Sequence, residues 1–133
     1  MKNRQIKFRM FNNSTNKMMD WEEILSGDDE YIRSYFIEGF SDCSPIMQYT
    51  GLQDKNGKEI YEGDIVSFQF ISKGVISCNQ QYCGFWIDFI DSEGKKRYSN
   101  LKVTFSDGDT YRCDGIEIIG NIYKNVGLLA VAP

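Results

Sequence analysis

From residue 46 onward a glycine-bearing turn interrupts the chain about every ten residues, and the stretches between turns have strand length. The turns are Asp54-Lys55-Asn56-Gly57-Lys58, Glu62-Gly63-Asp64, Ser72-Lys73-Gly74, Ser92-Glu93-Gly94 and Ser106-Asp107-Gly108. In the first, the Asn56-Gly57 pair predicts a tight hairpin of type I′, which needs positive φ at both central residues. Between turns, Val66, Phe68 and Phe70 share one face, and Val75-Ile76-Ser77-Cys78 follows the next turn. Cys83, Phe85, Ile87 and Phe89 alternate with Gly84, Trp86 and Asp88, which is the period of a half-buried strand. Ile116 to Tyr123 closes the series, with Gly120 expected at a bulge or close approach. Such a pattern folds into a barrel or a sandwich.

The first 45 residues read differently. Ile6, Phe8 and Met10 fall on one face of a strand, with Gln5, Lys7 and Arg9 on the other. A turn over residues 12–16 leads to a return strand at Lys17-Met18-Met19, making a hairpin. Asp20 to Leu25 suits a single helical turn ended near Gly27. Tyr31, Ile32, Tyr35, Phe36 and Phe40 fit a helical stripe as well as a strand, and both stay open. Pro45 disfavours helix just before it, so the boundary is placed at Cys43-Ser44-Pro45.

A chain of 133 residues suits one compact domain, and nine Phe, eight Tyr and two Trp supply a core despite modest aliphatic content. The net charge of −4 is spread evenly and argues against duplex DNA, whose binders concentrate Lys and Arg. No apolar run is long enough to span a bilayer and the N-terminus lacks a secretory h-region. The expected location is therefore cytoplasmic, without a membrane partner, and Cys43, Cys78, Cys83 and Cys113 are expected as reduced thiols.

The block Met47-Gln48-Tyr49-Thr50-Gly51-Leu52-Gln53-Asp54-Lys55-Asn56-Gly57-Lys58-Glu59-Ile60-Tyr61-Glu62-Gly63-Asp64-Ile65-Val66 closely resembles the signature of the YopX family of phage and prophage proteins. Ile6 to Phe11 with Lys17-Met18-Met19 is similar to the family's N-terminal hairpin, and Ile119 to Tyr123 through Leu129 to its C-terminal end. The resemblance implies an N-terminal α+β portion, a small SH3-type barrel and an origin in a bacteriophage or prophage, hence a bacterial host cytoplasm. It implies no activity and transfers no catalytic role. Residues 28–45 and 91–115 lie outside it.

Histidine is absent. Relays and zinc sites that need imidazole are excluded, and acid–base work at neutral pH would fall to carboxylates, Lys, Tyr or Cys. Cys78 and Cys83 could join Cys43 and Cys113 in a thiolate metal site, but the spacing is loose and buried free thiols are the plainer account. Asp54, Glu59, Glu62 and Asp64 could hold a metal ion or form an acid–base pair. Turn chemistry explains the aspartates better, with the glutamates facing water. Lys2, Arg4, Lys7 and Arg9 give the first strand a basic edge, and Lys95-Lys96-Arg97-Tyr98 is a second basic patch beside an aromatic ring. Such patches can track single-stranded nucleic acid, although a solvated face suits the negative chain better. Trp86 points away from Phe85, Ile87 and Phe89. It either anchors a partner or lies under the N-terminal portion, and the sequence does not choose.

The expectation is an α+β, mainly β protein: an N-terminal hairpin and helix portion over 1–45 and an SH3-like β-barrel over 46–133. The expected function is a non-catalytic phage accessory module, without metal or cofactor, that binds a protein partner or itself. Trp86, Arg4, Lys7 and Arg9 are the candidate contact residues. The alternatives are a nucleic-acid-associated phage protein and a carboxylate- or metal-dependent enzyme.

Overall fold

The computed structural model describes residues 5–27 and 42–129. The undecided stretch around residues 28–40, and Arg4, lie outside the described residues. Among those described, the protein is mainly β, with eleven strands in two sheets. No described helix is long and apolar enough to cross a membrane.

The first sheet opens with the expected hairpin, β1 (Phe8–Asn12) and β2 (Lys17–Met19). The Asn12 side chain accepts from the backbone N–H of Ser14 and Thr15, and Asn16 takes a left-handed φ of 57°. A short helix, α1 (Trp21–Leu25), follows; the Asp20 carboxylate caps it by accepting from the Glu23 N–H at 2.8 Å, and Ile24 is its buried residue. Next come β3 (Met47–Gln53) and β4 (Glu59–Tyr61). The strand order is β2-β1-β3-β10-β9, with β4 paired to β3, once β9 (Phe105–Asp107) and β10 (Thr110–Arg112) are included. Strands on both sides of the boundary expected at Pro45 therefore share one sheet.

The second sheet comprises β5 (Asp64–Phe68), β6 (Ile71–Asn79), β7 (Gly84–Ile90), β8 (Lys96–Asn100) and β11 (Ile116–Asn121), in the order β11-β5-β6-β7-β8. Val66, Phe68, Ile76, Ile87 and Ile116 of this sheet bury together with Ile60 of β4 and with Cys113. The sheets thus share a core, and Leu52, Phe89 and Leu101 pack against it. Full burial of one such aliphatic side chain stabilises the fold by about 1.5–3 kcal/mol.

Three expectations need correcting. Neither sheet closes into a barrel, because the chain leaves β8 and enters the other sheet as β9 and β10; β8 and β11 remain opposite edges. Phe70 is not in the core but 101% exposed, because the β5–β6 turn comes early, with Phe68 opposite Ile71 and Gln69 at a left-handed φ of 47°. Gly74 consequently sits inside β6 opposite Val66 rather than in a turn. It is required there by close packing: a Cβ would lie 2.5 Å from Ile87 Cγ2 and 3.3 Å from the Asp88 carbonyl oxygen. At Gly120 the expected irregularity is present, as a register shift between β11 and β5.

Candidate functional site

The polar face of β1 does not stand in water. Lys7 forms an ion pair with Glu59 and lies 5.2 Å from the Tyr49 ring centroid. Two residues on, the same face brings Arg9 into an ion pair with Asp64, its guanidinium 4.5 Å from the Tyr61 ring. Tyr49 and Tyr61 are cross-strand partners with centroids 5.4 Å apart. Alternating cations and rings thus bind β1 to β3, β4 and β5, and each cation gains both a carboxylate and a π face. Arg9 also donates to the Glu62 carbonyl at 3.3 Å.

Burial sets the electrostatics. Asp64 is 2% exposed. Desolvation pushes its carboxyl above the ordinary 3.8, outweighing the opposing pull of the Arg9 charge and of the hydrogen bond from the Tyr61 N–H at 2.8 Å. Burial, reinforced by the Glu59 charge, pushes Tyr61 up to about 12 and raises Tyr49 in the same direction. Both phenols are therefore neutral at physiological pH.

The other acidic residues have separate structural attachments. Asp54 is fully buried, accepting from the N–H groups of Asn56 and Lys58 in its own turn and from Ile118 of β11 at 3.0 Å. The two glutamates do not simply face water: Glu59 holds Lys7, and Glu62 accepts from the Gln48 N–H at 2.9 Å. No three of the described Cys, Asp and Glu residues are grouped to hold a metal ion. Cys113 is buried in the core, where burial and then the nearby Asp114 charge push its thiol up to about 11. Cys43 bridges to Asn12, whereas Cys78 and Cys83 are exposed near the β6–β7 connection.

Beside the Arg9–Asp64 pair a groove of about 350 Å³ opens between the hairpin and β11. Its wall takes Arg9 and Met18 from the hairpin, Asp64 from β5, Ile118 to Asn121 from β11, and Lys58, Lys124 and Asn125 from connections. It draws on both sheets. Of the expected contact residues, Arg9 lies on β1 and Lys7 just before it, with Arg9 in the groove wall. Trp86 is far along the second sheet, half-buried on β7 and paired with Ser77 and Asn100. Lys96, Arg97 and Tyr98 lie on the exposed edge strand β8, where Arg97 bonds Asp91. Met18, Asn121, Lys124 and Asn125 were not expected at a site. No periodicity or motif marks them, since they meet only through the packing of the hairpin on β11.

A family model described as YopX protein matches residues 7–130. The crystal structure of protein EF1440 from Enterococcus faecalis is similar to the chain, at 22% identity and a TM-score of 0.50, covering 96% of this chain and 100% of that one. That likeness is one of fold. No curated protein matches the chain.

Proposed function

The chain belongs to the YopX family, and from that premise we propose that it is a non-catalytic accessory protein of a bacteriophage or prophage. It works in the host cytoplasm by binding a protein partner through the free edge of its second sheet. One observation carries this reading. Strand β8 pairs only with β7 among the described strands, and its exposed Tyr98 and the exposed Ile90 of β7 flank the open edge. An unpaired edge offers a row of backbone donors and acceptors to an incoming extended strand. An aromatic side chain beside it provides an anchor. The structural bonds of Asp54, Asp64, Glu59 and Glu62 favour binding over carboxylate catalysis.

The test is affinity purification of tagged protein from phage-bearing cells, with mass spectrometry of the captured material. The wild type is expected to retain a specific protein that Tyr98→Asp loses while remaining folded by circular dichroism. Equal capture by both proteins, or nothing above the untagged control, would refute edge recognition. A fluorescent oligonucleotide titrated at low salt examines the competing role of Lys95, Lys96 and Arg97; salt-sensitive binding there would move the function to nucleic acid.

A further inference from the structure

We propose that the partner of the β8 edge is a second copy of this chain, the two β8 strands pairing antiparallel about Tyr98 and joining their sheets into one. This inference rests on the sheet-edge reading and names its occupant. The sheet edges differ in how they are protected. β2 and β9 end the first sheet as strands of three residues. β11 carries a register shift, and Asn125 and Leu128 lie close over its Gly120. Short strands, bulges and covering loops are the usual means by which an edge avoids pairing. β8 has none of them among the described residues: its five residues pair with β7 without a shift and include no proline.

The phase of the backbone fixes which groups β8 offers. The Ile76 carbonyl accepts the Gly63 N–H at 2.8 Å, so Ile76 addresses β5 while its neighbours Val75 and Ser77 address β7. Direction alternates residue by residue along antiparallel strands. Asp88 and Trp86, opposite Val75 and Ser77, therefore address β6, and Phe89 and Ile87 address β8. Arg97 and Ser99, opposite those two, turn inward, which leaves Lys96, Tyr98 and Asn100 presenting N–H and C=O to the open side. The Asp91 N–H, donating to the Lys95 carbonyl at 2.9 Å, has the same phase. The Asn100 carbonyl receives the Ser99 hydroxyl at 3.5 Å, a weak contact that a backbone donor would displace.

In one register this strand is complementary to itself. With Tyr98 on the two-fold axis, Lys96 faces the second copy's Asn100 and Arg97 its Ser99. All three outward residues then meet outward residues, giving about six hydrogen bonds between the chains. Moving the axis to Arg97 or Ser99 leaves about four. At Arg97 it also sets like charges directly opposite, which destabilises a strand pair.

Charge does not oppose the Tyr98 register. Arg97 is already paired with Asp91. The two Lys96 residues fall at opposite ends of the overlap, about 14 Å apart along the strands. That exceeds the screening length of about 8 Å at physiological salt. At the centre the two Tyr98 rings, each 58% exposed in the single chain, become cross-strand neighbours, an aromatic pair that favours association.

The test is sedimentation equilibrium of the full chain from about 10 μM to 1 mM, with circular dichroism confirming that each variant is folded. The wild type is expected to pass from one chain mass to two. Asn100→Lys, at an exposed position, sets a lysine opposite each Lys96 and should weaken dimerisation by about tenfold at low salt, and by less at high salt. Adding Lys96→Glu makes both repulsive pairs attractive and should restore the dimer. A single chain mass at every concentration, a dimer indifferent to Asn100→Lys, or no restoration by Lys96→Glu would each overturn self-pairing in this register. The edge reading fails separately. A monomeric chain that still captures another protein through Tyr98 keeps that reading and loses only this one; a monomeric chain whose capture does not depend on Tyr98 loses both.

Discussion

The turns joining β3 to β4 and β7 to β8 are built alike, yet one lies at the heart of the protein and the other at its rim. Asp54-Lys55-Asn56-Gly57-Lys58 and Asp91-Ser92-Glu93-Gly94-Lys95 share an aspartate, a glycine three residues later and a lysine after it. In both, the aspartate N–H donates to the lysine carbonyl, at 2.8 Å and 2.9 Å, and the glycine N–H donates back to the aspartate carbonyl at 3.0 Å. In both, Oδ1 accepts two backbone N–H groups at 2.9 Å. The glycines have φ of 81° and 82°. What differs is the second carboxylate oxygen. Asp54 Oδ2 accepts the Ile118 N–H, and the neighbouring Lys55 N–H donates to the Ile116 carbonyl, so this turn fastens one sheet to the other. Asp91 Oδ2 meets only the exposed Arg97. Local sequence makes the turn; the partner of one remaining oxygen decides whether the turn holds the fold together.

The sharpest way to break the likeness is to remove each aspartate. Asp54→Ala strands three backbone donors, one of them in β11, and should lower unfolding free energy by about 2–3 kcal/mol in urea titrations. Asp91→Ala should move the same transition far less, because water replaces every lost bond. Equal effects would mean that the Ile118 contact contributes nothing. The glycines provide the control. Neither Gly57 nor Gly94 would place a Cβ closer than 3.9 Å to a neighbour, so Gly57→Ala and Gly94→Ala incur only the left-handed backbone penalty. Each should cost about 1–2 kcal/mol, and by similar amounts. A gap between them as large as that between the aspartates would locate the difference in the backbone instead.

Acid titration sharpens the comparison by adding a third carboxylate. Asp91 is held below 3.8, first by the Arg97 hydrogen bond and then by its turn N–H groups, whereas burial holds Asp64 above 3.8 although it too faces an arginine. The signs are opposite. Asp91 contributes stability above 3.8 that disappears as pH falls through its folded value. Asp64 in the folded protein retains its proton after the unfolded chain has released it, so its contribution is complete below 3.8 and declines as pH rises through its folded value. Carboxyl ¹³C titration should place the two midpoints on either side of 3.8; an Asp64 midpoint below 3.8 would show that desolvation does not govern it, and an Asp91 midpoint above 3.8 that the Arg97 bond does not hold it down.

Much of the fold could be read from the chain because alternation and turn residues act locally. The hairpin at residues 8–19, the helical turn after Asp20 and the bulge at Gly120 follow from near neighbours. The Asn56-Gly57 pair misled in one detail: only Gly57 takes positive φ, since the Asp54 carboxylate organises a five-residue loop and removes the need for a left-handed Asn56. Phe70 misled for a related reason, because alternation cannot see Gln69 turning the strand one step early. The candidate site was harder to read. Arg9 and Asp64 were both evident as charged residues, but 55 positions separate them and no spacing rule links them. Reading Arg9 as solvent-facing was reasonable for an isolated strand; it fails because β4 and β5 pack against that face. Asn121 offered no signal at all, since an asparagine in a β–turn segment looks the same whether its amide is paired or unused.

The smallest effect distinguishes the two turns most cleanly. Arg97 is more than half exposed, so replacing it with alanine removes an interaction in which water competes throughout. The turn itself should persist, because its four remaining bonds, two to Asp91 Oδ1 and two along the backbone, do not involve Arg97. Arg97→Ala should therefore bring the Asp91 carboxyl back toward its ordinary value, visible by ¹³C titration, and lower the urea midpoint at neutral pH only by the small, solvent-screened contribution that goes with it. No comparable separation is available at Asp54, whose second oxygen is bound by the backbone of another strand rather than by a replaceable side chain. If Arg97→Ala shifted the midpoint as strongly as Asp54→Ala, the edge strand β8 would owe its position to that ion pair, and the contrast between a fastening turn and a merely local one would fail.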